Sequence, residues 1–411
     1  MGMVKLNQVS LDGTELLSNN SRFNTGHRQS LEQKLLALDE QIEMAMKQAV
    51  EKDQIEDQLY GTEISPVKLP KGLGDLKRRQ EKMQEAMKHV LSMEASRAKR
   101  KDRKEGSVKG PAVPLADPDS RVLPNKHGGF APNYTAVLAV DGAQGIILDV
   151  QLLGGNDEVS TVIPAVENIQ ARFGVLPVQL VADSGFNSGQ NLTDLQKLGV
   201  EALMPARQEL EGVDVANRLD LSQPVPGEDR AALPINPQNK VLDKSAFVFD
   251  AVADQYVCPM GRVLFSVKDK PYDRHGVKGV YKMYECVSCV GCPLSARCLP
   301  KNATARRVSR DEHEALREQM AARMDTEAGA KQYRQRAWIS ETPFGFIKTA
   351  MAFRQFLLRG LKKTAMELDW MATAYNLLKI VRFKATLLRK TVAALATQTV
   401  VKTAAGTMAT I

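Results

Sequence analysis

Glu341 is the one acidic residue in the basic stretch Lys331 to Lys348, KQYRQRAWISETPFGFIK. A carboxylate offers hard oxygens, the ligands Mg²⁺ prefers. Two such ions held roughly 3.5–4 Å apart can activate a water and neutralise a departing oxygen. A lone carboxylate in a basic helix is more often a solvated ion-pair partner, so this chemistry needs further acids brought alongside. Two stand at the ends of predicted strands, Asp12 after VSL and Asp183 after PVQLVA. Asp-Gly alone reads as a turn, and an acid just past a strand often only shapes the next turn. A strand's carboxyl end is also where α/β sheets place ligands. Asp117 and Asp119, in ADPDSR, are rivals to Asp12.

The second chemical cluster is YECVSCVGCPLSARC, which spaces Cys286, Cys289, Cys292 and Cys298 as Cys-x2-Cys-x2-Cys-x5-Cys. Thiolates at this spacing can chelate one tetrahedral ion, and structural Zn²⁺ is the expectation. Reduced cysteines packing a small subdomain, or an iron–sulfur centre, fit the same spacing. The fifth cysteine, Cys258, falls in a predicted hairpin, AFVFDAVADQYVCPMGRVLF.

The elements that must position these residues follow in order. Val4 to Leu17 reads as a strand ending near Asp12-Gly13. Leu31, Leu35, Leu38, Ile42, Ala45 and Ala49 form a coiled-coil seam over about residues 28–58. After a break at Gly61, Pro66, Pro70 and Gly72, a second helix over about 74–101 carries Leu76, Met83, Met87 and Val90, giving an antiparallel hairpin. That helix ends in the basic run Arg97, Lys99, Arg100, Lys101, Arg103 and Lys104, either a solvated surface or a phosphate contact. NYTAVLAVD and GIILDVQLL read as a strand hairpin, the first continuously apolar as a doubly covered strand should be. Asp157 to Phe173 reads as a helix stopped by Gly174. The strand at Pro177–Phe186, a helix ending at Gly199 and the strand at Val200–Arg207 follow. Ser309 to Thr342 reads as one long helix, with Pro343 and Gly345 against its continuation. Phe353 to Phe383 reads as the closing helix, with Phe356, Leu357, Leu361, Met366, Trp370 and Leu377 covering the sheet. The tail after Lys390 reads as frayed.

Tyr333-x2-Arg336-x4-Glu341-x6-Lys348 resembles the C-terminal signature of bacterial insertion-sequence DDE transposases. Ala182-Asp183-Ser184-Gly185-Phe186 is similar to that family's Ala-Asp-x-Gly-Tyr motif, with Phe for Tyr. Asp12-Gly13-Thr14 followed by Ser18-Asn19-Asn20-Ser21-Arg22 is similar to its first-strand motif, with Glu15 and Leu17 where members often carry Lys. The resemblance extends to the cysteine-bearing insertion and to Phe-Leu-Leu-Arg-Gly-Leu and Tyr-Asn-Leu-Leu-Lys in the closing helix. It implies an α/β, RNase H-like mixed sheet flanked by helices, interrupted by the helical hairpin and a small Cys-rich subdomain. The implied segments are 1–27 (first strand), 28–110 (coiled-coil hairpin), 111–207 (core strands and helices), 208–308 (Cys insertion), 309–390 (C-terminal catalytic helices) and 391–411 (flexible tail). It also implies Asp12, Asp183 and Glu341 as ligands of two Mg²⁺ (or Mn²⁺) ions, with Asp12 shared. Tyr333, Arg336 and Lys348 would contact DNA. The activity would be DNA strand cleavage and transfer at element ends, by a homodimer when bound to DNA. A truncated, inactive DNA-binding relative and an RNase H-like nuclease are the alternatives. Relatives usually carry an upstream helical domain, which suggests a shortened or split form.

The 411 residues, 43% hydrophobic and 25% charged, predict an ordinary globular protein of two or three units. No membrane-length apolar run or leader is apparent, so a cytoplasmic protein without membrane contact is expected. Cysteines clustered in such a chain favour metal over disulfides. The formal charge of +8 suits a polyanionic partner without identifying one.

Overall fold

The computed structural model describes residues 2–61, 72–98, 110–125, 128–205, 212–274, 277–286 and 288–408. Lys99, Arg100, Lys101, Arg103 and Lys104 of the basic run, and Pro66 and Pro70 of the hairpin break, lie outside them. The chain divides into two units, Met1–Ala182 with Arg334–Ile411, and Asp183–Tyr333.

The first unit contains strands β1 (Gln8–Leu17), β2 (Thr25–Gly26), β3 (Val113–Pro114), β4 (Arg121–Pro124), β5 (Phe130–Asp141), β6 (Ile147–Leu153) and β7 (Gln179–Ala182). Its helices are α1 (Arg28–Tyr60), α2 (Leu73–Ala98) and α3 (Val162–Phe173). β5 is the central strand, antiparallel to β1 on one edge and to β4 and β6 on the other. β7 lies parallel to β1. This mixed sheet flanked by helices accords with the RNase H-like expectation. Beyond Phe130, every residue of β5 is buried, the mark of a strand covered on both faces.

The second unit contains α4 (Gly189–Leu198), β8 (Glu201–Leu203), α5 (Val213–Ala216), β9 (Val248–Asp250), β10 (Gln255–Val257), β11 (Val263–Arg274), β12 (Val277–Cys286), α6 (Ser295–Cys298), β13 (Arg307–Asp311) and α7 (Glu314–Met324). The antiparallel sheet β13-β12-β11-β10-β9 backs an apolar core that holds the cysteines. Helix α8 (Glu327–Thr349) starts in this unit and ends in the first, which α9 (Leu361–Met408) completes.

Several expectations are corrected. β1 does not end at Asp12-Gly13: pairing with β5 continues to Leu17↔Asn133, and only the parallel pairing with β7 stops, at Leu11↔Ala182. Ser309 to Thr342 is not one helix. β13 takes its start, and Thr326 accepts a bond from the Gly329 amide at 3.0 Å to begin α8 afresh.

At its other end α8 runs through Pro343. A proline there costs about 3 kcal/mol, but Ile339, Phe344 and Ile347 on either side bury against the sheet, each burial returning roughly 1.5–3 kcal/mol. Finally, α9 starts at Leu361 and stays helical past Lys390 to Met408. Of the residues assigned to cover the sheet, Phe356 is buried, while Leu357, Leu361, Met366, Trp370 and Leu377 are exposed. Leu368, Ala372 and Tyr375 take that place.

Helix α9 begins late because Phe353–Phe356 runs extended beside the end of β1, with the Phe356 amide donating to Leu17 O at 2.9 Å. Gly360, at φ 85°, then turns the chain. Its amide donates to Asp117 Oδ1 (2.9 Å) and that of Leu361 to Asp119 Oδ2 (2.9 Å). The rivals to Asp12 are thus acceptors at a helix N-terminus, where carboxylates are favoured. Downstream, Asn376 clasps the backbone of Ile147 with two bonds, 2.9 and 2.8 Å.

The hairpin of α1 and α2 is antiparallel: Arg28 pairs with Glu94 near one end, and Gln80 donates to Asp39 further along. Leu31, Ala86 and Val90 join Val113 and Leu115 in its small core. Leu35, Ile42, Ala45 and Ala49 of the expected seam are only half-buried. The pair β2–β3, Thr25↔Pro114 and Gly26↔Val113, closes the base of this insertion.

Asp117 is almost fully buried, and Tyr134 donates to its Oδ1 at 2.7 Å. Burial pushes its carboxyl above the usual range, against the bonds from Tyr134 and Gly360. Its contribution to stability is therefore full below the unfolded-state value and fades as pH rises through the raised one. Asp117→Ala is expected to cost about 1–3 kcal/mol in urea denaturation, with the larger loss at acid pH.

Candidate active site

In β1, Ser10, Asp12, Thr14 and Leu16 share one face by strand alternation, and α8 lies across it. Ser10 and Ser340 join hydroxyls in the buried interior. Arg336 Nη1 lies 3.4 Å from Asp12 Oδ1, both side chains more than four-fifths buried. Asp12 Oδ1 also accepts the Gly13 amide at 3.0 Å. Lys348 Nζ donates to Thr14 Oγ1 (2.6 Å) and Glu15 O (3.0 Å). Three side chains within the thirteen residues from Arg336 to Lys348 thus meet the six strand residues from Ser10 to Glu15.

Glu341 is exposed on α8, next to Ser340. Because the helix is unbroken through Pro343, Lys348 stands two turns beyond Glu341 on the same side. Tyr333, half-buried, is the last residue of the second unit. Asp183 is the first residue of that unit and is half-buried. Its Oδ1 accepts the Gly185 amide at 2.7 Å, a turn-forming bond. Asn187 secures the following loop to Met204 O and Pro205 O.

Sequence reasoning did not single out Ser10 and Ser340. A serine on a strand and one on a helix carry no periodic signal, and only the docking brings them together. It also left Cys258 out of the cysteine cluster. That cysteine shares one core, and one cavity of about 20 Å³, with Cys286, Cys289, Cys292 and Cys298. All five are free thiols.

A protein family described as Transposase DDE domain matches residues 257–381. The matched stretch contains the cysteine cluster and Tyr333, Arg336, Glu341 and Lys348, and stops short of Asp12 and Asp183. It supports a transposase of the DDE type. No curated protein matches the chain. No helix among the described residues is long and apolar enough to cross a membrane.

The Asp12–Arg336 contact is testable by a double-mutant cycle. Asp12→Asn and Arg336→Gln should each destabilise the protein in chemical denaturation, and the double variant should lose less than the sum, by about 0.5–3 kcal/mol.

Proposed function

We propose that the chain is a DDE transposase that cuts DNA at the ends of its own element and joins those ends to target DNA. The observation carrying this reading is the docking of α8 on β1. The helix that bears Glu341, inside the stretch matched by the DDE family, holds Asp12 through Arg336 and the next strand turn through Lys348. Chain connectivity supports the third member: Leu11 pairs with Ala182, and Asp12 and Asp183 each lie one residue beyond that pair.

Asp12, Glu341 and Asp183 are a hard-oxygen donor set that suits Mg²⁺ or Mn²⁺. The pairing of a largely buried Asp12 with a guanidinium is consistent with a position that calls for positive charge. Ions held there would supply an activated water and charge stabilisation for the departing 3′ oxygen. The chain's own contribution is to fix the carboxylates. The Gly13 amide and Arg336 orient Asp12, the Gly185 amide orients Asp183, and Lys348 holds the helix that carries Glu341 against the strand. In this reading Arg336 and Tyr333 would contact a DNA phosphate, with two copies of the chain serving the two element ends.

The test is nicking of a plasmid bearing the terminal inverted repeats that flank the coding region, in Mg²⁺ or Mn²⁺. Asp12→Ala, Asp183→Ala and Glu341→Ala are each expected to lower the rate by at least ~10³-fold, about 4 kcal/mol of transition-state stabilisation. Circular dichroism should be unchanged, and Glu327→Ala on the same helix should remain active. Full activity in both Asp183→Ala and Glu341→Ala would sink the proposal. Salt-sensitive binding without any cleavage by the unaltered chain would favour a DNA-binding relative instead.

A further inference from the structure

The second unit closes around a group of sulfurs that the proposed cleavage chemistry does not use. Cys258, Cys286, Cys289 and Cys298 are buried and Cys292 half-buried, and all five line one cavity with Arg306. The cavity, about 20 Å³, is the size of a single small occupant.

Arg306 is the second observation. It is about nine-tenths buried, with no close ion pair among the described residues, and the charge of Asp243 acts on it together with those of Cys298 and Cys289. Its Nη1 and Nη2 donate to Cys298 O (2.9 Å) and Leu242 O (2.7 Å), it lies over the Phe247 ring, and its Nε has no partner. A buried cation without a close ion pair costs several kcal/mol. Its backbone amide donates to Cys289 Sγ at 3.4 Å. Four thiolates around Zn²⁺ carry a net charge of −2, which would add to that of Asp243 in balancing this guanidinium.

Backbone amides reach the sulfurs of Cys258, Cys286 and Cys289. Burial pushes Cys258 up, while the amides of Arg262 and Met260 pull the other way by pointing at its sulfur. Burial drives Cys286 to about 11, with the Ser288 amide opposing. Cys298 is pushed to about 12 by burial, and the charges of Cys289, Cys258 and Cys292 add to this against Arg306. Cys258 feels Cys292 and Cys289 in the same way. For Cys286 the neighbours are Cys289 and Cys258.

We propose that Cys258, Cys289, Cys292 and Cys298 bind one structural Zn²⁺, with Arg306 as its buried counter-charge and Cys286 as a packing thiol. This replaces Cys286 in the set expected from spacing with a cysteine 31 residues before Cys289. No three of the sulfurs lie within 4.8 Å of one another, the one group that does so among the described residues being Glu85, His89 and Asp119. Closure on the ion draws the thiolates inward as they lose their protons. The site ties the β10–β11 turn to the segment after β12.

Elemental analysis of the full chain, purified under reducing conditions, should find about one zinc per chain. Cys258→Ser and Cys298→Ser should lose it, and Cys286→Ser should keep it. Because a lost ligand can unfold the unit, Co²⁺ is also titrated into the metal-stripped unaltered chain and Cys286→Ser. Both should show tetrahedral cobalt–thiolate bands saturating at about one equivalent. Zinc absent from the unaltered chain, iron with acid-labile sulfide in its place, or metal kept by Cys258→Ser and lost by Cys286→Ser would each overturn the assignment. None of these outcomes depends on DNA cleavage.

Discussion

The first unit depends on a polar seam laid inside an apolar sandwich. Where α8 crosses β1, an ion pair, a pair of hydroxyls and an ammonium bound to strand oxygens follow one another. Ile339, Phe344 and Ile347 bury beside them against Leu138, Val140 and Tyr134. Apolar packing alone would tolerate a helix slid by a turn, because one buried aliphatic residue replaces another at modest cost. A misplaced buried charge or hydroxyl leaves its partner orphaned, which costs more. The seam thus fixes the register of α8 on β1, and with it the place of Glu341 along Asp12's strand.

The cysteine-bearing unit meets a similar problem by other means. Its sheet is antiparallel throughout, and its core relies on Tyr256, Tyr284, Phe247 and the thiols. Tyr256 and Tyr284 meet edge to face at 5.1 Å, and Arg310 lies over Phe249 at 3.8 Å. Val225, Leu233, Leu242, Leu264, Leu294 and Val308 fill the rest of that core.

Much of this was legible in the residues. The apolar run in β5, the helical spacing of Val162, Val166 and Ile169, and the glycine stops at Gly174 and Gly199 are local signals, and the elements follow them. The hairpin was visible as a seam, although only its base is packed. What was illegible depends on partners far away in sequence. Asp12-Gly13 looks like a strand end because Asp-Gly so often turns, yet β5 keeps the strand extended to Leu17. Pro343 looks like a helix end until the buried residues on both sides are counted. Asp117 and Asp119 look like candidate ligands because nothing in ADPDSR announces a helix that starts at Leu361. Met366, Trp370 and Leu377 keep helical spacing but lie off the stripe that Leu368, Ala372 and Tyr375 bury, so periodicity found the helix and missed its inward face.

The two-residue pair β2–β3 has a consequence for how such a chain can change. Its ladder brings Gly26 and Val113 to within about 5 Å, the separation a tight turn would span. The strands that carry Asp12 and Leu138 therefore meet everything between those two residues as though it were one reverse turn. Lengthening, shortening or exchanging the far end of the α1–α2 hairpin, beyond the base where Ala86, Val90 and His89 pack, leaves the closure of the sheet untouched. That makes this join a natural port through which a lineage could acquire or shed a helical arm.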